Sequence, residues 1–254
     1  MKYLDDLLNE CKFPELENNY KQALQEAVIF ILKNFYVQGI LVSGSIIQGK
    51  ANKNSDLDIY VVNNRYECQR IQRFFNFAPT KIFINPVNKI KKYLEDELIS
   101  GKTSTANMFA TGFVILDQNQ VIYKIRSRAK DMLLRSPNNN ILFLQKLRYS
   151  IADTYENATD MIGIDDATAI ILMSESVKMA LQYYFRISEK WMPRHKDIFI
   201  ELEKIDQNLA KLGKDFYLNP LVSEKFKIAD EIMDKTIKTK GFFEWSSDIE
   251  IYED

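Results

Sequence analysis

Apolar and polar positions alternate between two textures along this chain. In the first half, short apolar runs sit between helical stretches. Gly39-Ile40-Leu41-Val42, Ile59-Tyr60-Val61-Val62 and Lys81-Ile82-Phe83-Ile84 are too short and too continuous for amphipathic helices, and read as buried strands. Before them, Leu16, Tyr20, Leu24, Ala27, Ile31 and Leu32 recur every three to four residues, which predicts a helix over 14–34. Helices are also predicted over 67–75, 87–99 and 121–134, a loop over 101–106, and a helix turn and strand over 108–117. Phe74, Phe75 and Phe77 are expected mostly in the core.

The texture changes after Ser136-Pro137-Asn138-Asn139-Asn140, the best linker candidate. Ile141, Leu144, Leu147, Ile151, Tyr155, Ala158 and Ile162 follow helical spacing, as do Ala167, Ile170, Val177, Leu181 and Tyr184. Asp165 or Asp166 suits the start of that second helix. Helices resume over 196–212 and 220–238, so the second half reads as an antiparallel helical bundle. Two domains are expected, residues 1–136 and 137–254.

Composition narrows the chemistry. A net charge of −1 argues against a broad nucleic-acid surface, because neutralising many phosphates needs a basic excess. Cys11 and Cys68 have no metal-binding spacing, and a reducing, cytoplasmic setting is expected. The first residues carry acids and no signal-like apolar core, and no apolar run approaches membrane-spanning length. His195 is the single histidine, which excludes a multi-histidine metal site; it is expected on a surface loop.

The richest stretch is Gly44-Ser45-Ile46-Ile47-Gln48-Gly49-Lys50-Ala51-Asn52-Lys53-Asn54-Ser55-Asp56-Leu57-Asp58. It predicts strand, glycine turn, short helix, loop, strand. On the second strand, Asp56 and Asp58 share a face. Paired carboxylates repel unless a cation lies between them, and such oxygen ligands suit Mg²⁺. Gly44 lets the backbone approach a ligand closely, and the N–H groups of a helix opened by Gly44 and Ser45 could hold a phosphate.

This stretch resembles the signature of the nucleotidyltransferase superfamily that includes DNA polymerase beta and the antibiotic-modifying nucleotidyltransferases. The pattern is a Gly-Ser turn, a spacer, then Asp-x-Asp on the next strand, here with Ser55 just before the acidic pair. Ile82-Phe83-Ile84-Asn85-Pro86, Thr105–Gly112 and Leu116-Asp117 look like a bacterial subgroup of small nucleotidyltransferases. Trp191-Met192-Pro193-Arg194-His195-Lys196 and Phe243-Glu244-Trp245 are similar to the C-terminal bundles of aminoglycoside and lincosamide nucleotidyltransferases.

The resemblance implies an α+β fold: a mixed nucleotidyltransferase sheet with flanking helices, 1–136, followed by a C-terminal helical bundle, 137–254. It implies an NTP co-substrate bound in a cleft between sheet and helices, with Mg²⁺, two ions, held by Asp56 and Asp58. Gly44, Ser45 and Ser55 would hold phosphates. A hydroxyl of a small, antibiotic-like molecule or of a protein would attack the alpha phosphorus. Whether the chain forms a homodimer stays open. Lys50, Lys53 and Lys124 are candidate helper cations.

One departure stands out. The subgroup places a third carboxylate just before Ile-Phe-Ile-Asn-Pro, and Lys81 stands there. A lysine in that place is expected to pair with Asp56 or Asp58, to compete with Mg²⁺, or to contact the nucleotide. The base then comes from elsewhere, with Asp117, Asp153, Glu156 and Asp160 available, or one metal suffices, or the chain binds a nucleotide without transferring it.

Overall fold

A computed structural model describes residues 2–247 and 249, with Lys2 and Tyr3 described by backbone alone. It falls into two compact units. One comprises the chain up to Leu98 together with Thr103–Arg135; the other comprises Ile99–Lys102 and the chain from Ser136 on. The chain therefore passes between units at three places, where the sequence suggested one.

The first unit is built on a five-stranded sheet in the order β3-β4-β2-β1-β5. Its strands are β1 (Val37–Ser43), β2 (Leu57–Asn63), β3 (Gln69–Phe75), β4 (Ala78–Pro86) and β5 (Phe113–Asp117). Only β2 and β4 run parallel; the other pairs are antiparallel. The central strands are buried on both faces, which is why they appear as unbroken apolar runs.

Helices α1 (Lys2–Glu10) and α2 (Asn18–Asn34) pack on one face of this sheet. Leu24, Val28 and Ile31 meet Ile40, Val42, Ile59, Ile82 and Ile84 there in one buried cluster. The predicted helix over 14–34 thus begins at Asn18, leaving Pro14 outside, and α1 is an addition. Three further helices, α3 (Val87–Ser100), α4 (Ser104–Thr111) and α5 (Val121–Leu133), complete the unit.

On the opposite face, Ile122 of α5 lies where a side chain on Gly39 would be. The ring of Phe109, on α4, meets Tyr60 with centroids 4.8 Å apart. The predicted loop over 101–106 is correct only to Thr103. Glu97 of α3 accepts hydrogen bonds from the N–H groups of Thr105 (2.5 Å) and Ala106 (3.0 Å), capping α4 where no local side chain does. Burial raises the Glu97 pKa, against the pull of those donors.

The predicted helix over 67–75 is a strand. β3 pairs with β4 through a two-residue turn, Asn76-Phe77, both with positive φ, the backbone that suits a tight hairpin. As an edge strand it is exposed along most of its length, so its charges mask the period of two. Phe74 and Phe77 are exposed rather than core; of the three phenylalanines Phe75 alone is buried.

The second unit is helical: α6 (Ile141–Asp160), α7 (Asp166–Ile187), α8 (Ile198–Glu203), α9 (Gln207–Leu218) and α10 (Val222–Thr236). Ile151, Tyr155, Val177, Leu181, Phe185, Phe216 and Met233 share its core. Asp165 caps α7 by accepting from the N–H groups of Ala167 and Thr168. The predicted helix over 196–212 is broken at Asp206, which caps α9 through the N–H of Leu209. Ser136–Asn140 is tied down: the buried Arg186 guanidinium donates to the carbonyls of Asn138 and Ile99, and the Asn139 amide donates to the Arg186 carbonyl. Together the two units make an α+β protein with a mixed sheet, flanking helices and a following set of helices.

Candidate active site

Strand register puts four polar side chains in one row across the sheet. Ser43 pairs with Asp58, Asp58 with Lys81, and Lys81 with Gln72. Directly paired residues point to the same face. That face is the one α4 and α5 cover farther along, over Tyr60 and Gly39. The alternation that buries Leu57, Ile59, Ile82 and Ile84 under α2 therefore turns Asp58 and Lys81 the other way.

Asp56 lies just before β2, two residues from Asp58, and its Oδ2 is 2.5 Å from the Lys81 Nζ. The hydrogen bond to Asp56 is the main reason that the Lys81 pKa is raised; the charges of Asp56 and Asp58 add to it, while desolvation and Arg70 oppose it. The Lys81 side chain is 41% exposed and that of Asp56 26%, so water screens the pair. Such a pair contributes about 1 kcal/mol or less. A divalent ion or a triphosphate could displace it.

The turn after β1 brings backbone against these carboxylates. Gly44 has φ +97°, and a Cβ there would lie 3.0 Å from the Asp58 Oδ2. Glycine is required on both counts. The predicted short helix is a correction: residues 45–49 form a single turn, with the Gln48 N–H bonded to the Gly44 carbonyl and the Lys50 N–H to the Ser45 carbonyl. Gly49, φ +67°, ends it at once. The chain makes one turn here, not the short helix expected.

The Ser45 hydroxyl donates to the Ser55 Oγ (2.9 Å), which also accepts from the Asn52 N–H (2.8 Å). Ser55, buried, thus clasps the loop that delivers Asp56. Ser43 is 2% exposed, and its Oγ has no hydrogen-bond partner, which places an unsatisfied oxygen beside Asp58.

Of the other predicted residues, Asp117 is not in this group. It lies on β5 opposite Gly39, the far end of β1, roughly 13 Å from Ser43 at the usual strand rise. Its two oxygens accept from the N–H groups of Ile122 and Tyr123 and cap α5. Lys124 is on α5 as well, its Nζ donating to the Asn119 carbonyl. Asp153, Glu156 and Asp160 lie on α6, in the second unit, and His195 is exposed there.

Sequence reasoning missed Ser43, Arg70 and Gln72. Arg70 and Gln72 are on the edge strand read as a helix, and the Arg70 guanidinium sits 4.8 Å from the Phe83 ring centroid. The detectable signal was Ile71 alternating with Arg70 and Gln72.

Two carboxylates, a close glycine turn and an orphaned hydroxyl are hard oxygen donors that fit one divalent cation sharing its remaining positions with phosphates and water. Among the described residues no group of three or more acids, histidines or cysteines gathers that could hold a metal ion, so the two aspartates would need phosphate and water to complete a coordination shell.

No protein-family model matches the chain, and no curated protein does. Its structure is similar to that of a nucleotidyltransferase-like protein from Exiguobacterium sibiricum 255-15, with a TM-score of 0.54 at 10% sequence identity. The match covers 85% of this chain and 74% of that one. The fold is therefore nucleotidyltransferase-like. No described helix is long and apolar enough to cross a membrane.

Proposed function

We propose that the protein is a Mg²⁺-dependent nucleotidyltransferase that moves NMP from an NTP to a hydroxyl of a small-molecule or protein acceptor. The observation that carries this reading is the convergence of Asp56 and Asp58 with the Gly44 turn at one end of the sheet face that α4 and α5 pack on. A nucleotidyltransferase-like fold supports it.

Asp56 and Asp58 would hold the ion, which when bound supplies charge neutralisation for the phosphates and for the attacking and leaving oxygens. Gly44 keeps the turn tight against Asp58, so the carboxylate is fixed before substrate arrives. Ser45 and Ser55 hold the loop that sets Asp56. Lys81, once released from Asp56, and Arg70 present positive charge to the triphosphate. With Lys81 in place of a third carboxylate, the chain's donors support one firmly held ion rather than two.

The acceptor is proposed by analogy alone: an antibiotic-like small molecule or a protein hydroxyl. The bound Lys81–Asp56 pair favours a second reading, a protein that binds a nucleotide without transferring it.

One experiment separates the two. Pyrophosphate release is followed from each NTP with Mg²⁺, with and without candidate acceptors, alongside calorimetric NTP binding. Acceptor-stimulated release that Asp58→Asn abolishes supports transfer. Magnesium-dependent binding without release supports the second reading. Wild type that binds no NTP overturns both.

A further inference from the structure

The second unit contains a cavity of about 370 Å³ between α6 and the chain at 241–245. That is the size of a small-ligand site. Its walls are aromatic. Tyr149 and Trp245 lie with ring centroids 4.9 Å apart and planes tilted by 34°, and Phe243 joins them. Its charge is of one sign: Asp153, Glu156 and Glu244 line it, and no lysine or arginine does.

The local chain builds this arrangement. Tyr149, Asp153 and Glu156 succeed one another at helical spacing on α6, so they share a face. Gly241, φ +133°, brings the returning backbone close: a Cβ there would lie 3.5 Å from Glu156 side-chain atoms. The neighbouring cation, Arg148, is committed elsewhere. Its Nε donates to the Ile237 carbonyl at 2.7 Å, and its guanidinium lies on the Phe243 ring at 4.3 Å.

We infer that this cavity binds a small organic cation bearing ammonium groups. Electron-rich ring faces attract an ammonium, and the exposed carboxylates at the same walls complete its charge. An anion would meet repulsion from three acids, and an uncharged apolar ligand would gain nothing from them. This inference does not depend on nucleotidyl transfer, because every group in it belongs to the second unit.

The test is isothermal titration calorimetry of the full chain with spermidine, with 1,7-heptanediol as an uncharged control. The expected result is saturable spermidine binding and none of the diol. Trp245→Leu should weaken it about two- to fivefold, the scale of an exposed cation–aromatic contact, and Glu156→Gln by about as much, the scale of an exposed ion pair. Asp58→Asn should leave it unchanged, since that carboxylate lies in the first unit. Circular dichroism melts establish that the variants fold; Glu156→Gln, an isostere at an exposed position, covers the case in which Trp245→Leu does not. Absence of saturable binding, equal affinity in Glu156→Gln, or loss of binding in Asp58→Asn would each overturn the assignment.

Discussion

Each end of β1 pairs with an aspartate of a neighbouring strand, Gly39 with Asp117 of β5 and Ser43 with Asp58 of β2, and the two acids are spent differently. At the Gly39 end, Asp117 gives both oxygens to backbone N–H groups and caps α5. At the Ser43 end, Asp58 faces the backbone of Gly44 and stands in register with Lys81, while Asp56 meets that lysine across a screened pair. A carboxylate saturated by amide donors stabilises a fold and has little left to offer a ligand. One paired with a half-exposed ammonium, as Asp56 is, can exchange that partner for a metal or a phosphate. Sequence marked Asp56 and Asp58 by their spacing and left Asp117 a possible base; their partners separate them physically.

The strongest way to break this contrast is to neutralise each end in turn. Asp58→Asn and Asp56→Asn should lower Mg²⁺-dependent turnover at least about a hundredfold, the scale of losing one preorganised electrostatic group. Their melting temperatures should stay near that of wild type. Asp117→Asn should keep turnover. Pyrophosphate release per folded molecule measures both, and comparable losses at the two ends would erase the distinction.

Gly44→Ala comes next. An alanine at φ +97° is strained, and its Cβ would press on the Asp58 carboxylate. We expect a loss of about 2 kcal/mol in a denaturant titration, together with weaker Mg²⁺-dependent nucleotide binding. Gly49→Ala is the matched control. It too has positive φ, but nothing lies within 4 Å of its Cβ position, so it should lose stability and keep nucleotide affinity. Equal affinity losses in both would show that strain, not contact with Asp58, matters.

At the other end, Asp117→Ala removes the α5 cap and should cost about 1 kcal/mol, read as a shift in the denaturation midpoint. Unchanged stability would mean that water replaces the cap freely.

Much of this architecture could be read in the chain because its central strands are buried on both faces and have no polar alternation to obscure them. Asp56 and Asp58 were legible for the same reason: an acidic pair beside Ile59-Tyr60-Val61-Val62 has to sit at the strand's mouth. β3 was not legible. With Arg70, Gln72, Arg73 and Phe74 all exposed, it imitates a solvated helix, and its turn uses Asn76 and Phe77 where a glycine would have announced it. The short helix after Gly44 was overread, since Gly49 stops the chain after one turn. Ser43 escaped notice because a polar residue ending a strand looks like its exit into solvent, yet it is buried. Asp117 required long-range information: nothing in Leu116-Asp117 says that the next helix turns its free amides back onto it.

The smallest expected effect sharpens the comparison most, because it concerns the partner and leaves the acids intact. If Lys81 merely occupies the place that a metal takes, removing its charge should tighten Mg²⁺ binding in the presence of nucleotide. The pair is screened, so Lys81→Ala should gain only about fivefold or less. Lys81→Glu, which adds a carboxylate to a hard-cation site, should gain more. The pH dependence carries a definite sign. A lysine whose folded pKa is raised contributes its pairing energy fully below the ordinary value of 10.5, and loses it only as pH rises through the higher folded value. The advantage of Lys81→Ala over wild type should therefore persist unchanged through neutral and mildly alkaline pH, and shrink only above 10.5. Mg²⁺ titrations across neutral and mildly alkaline pH, where the ion stays in solution, test that constancy directly. Weaker binding in both variants would reverse the assignment: Lys81 would then be holding the triphosphate itself, and its pairing with Asp56 would be the resting state of a substrate-binding residue.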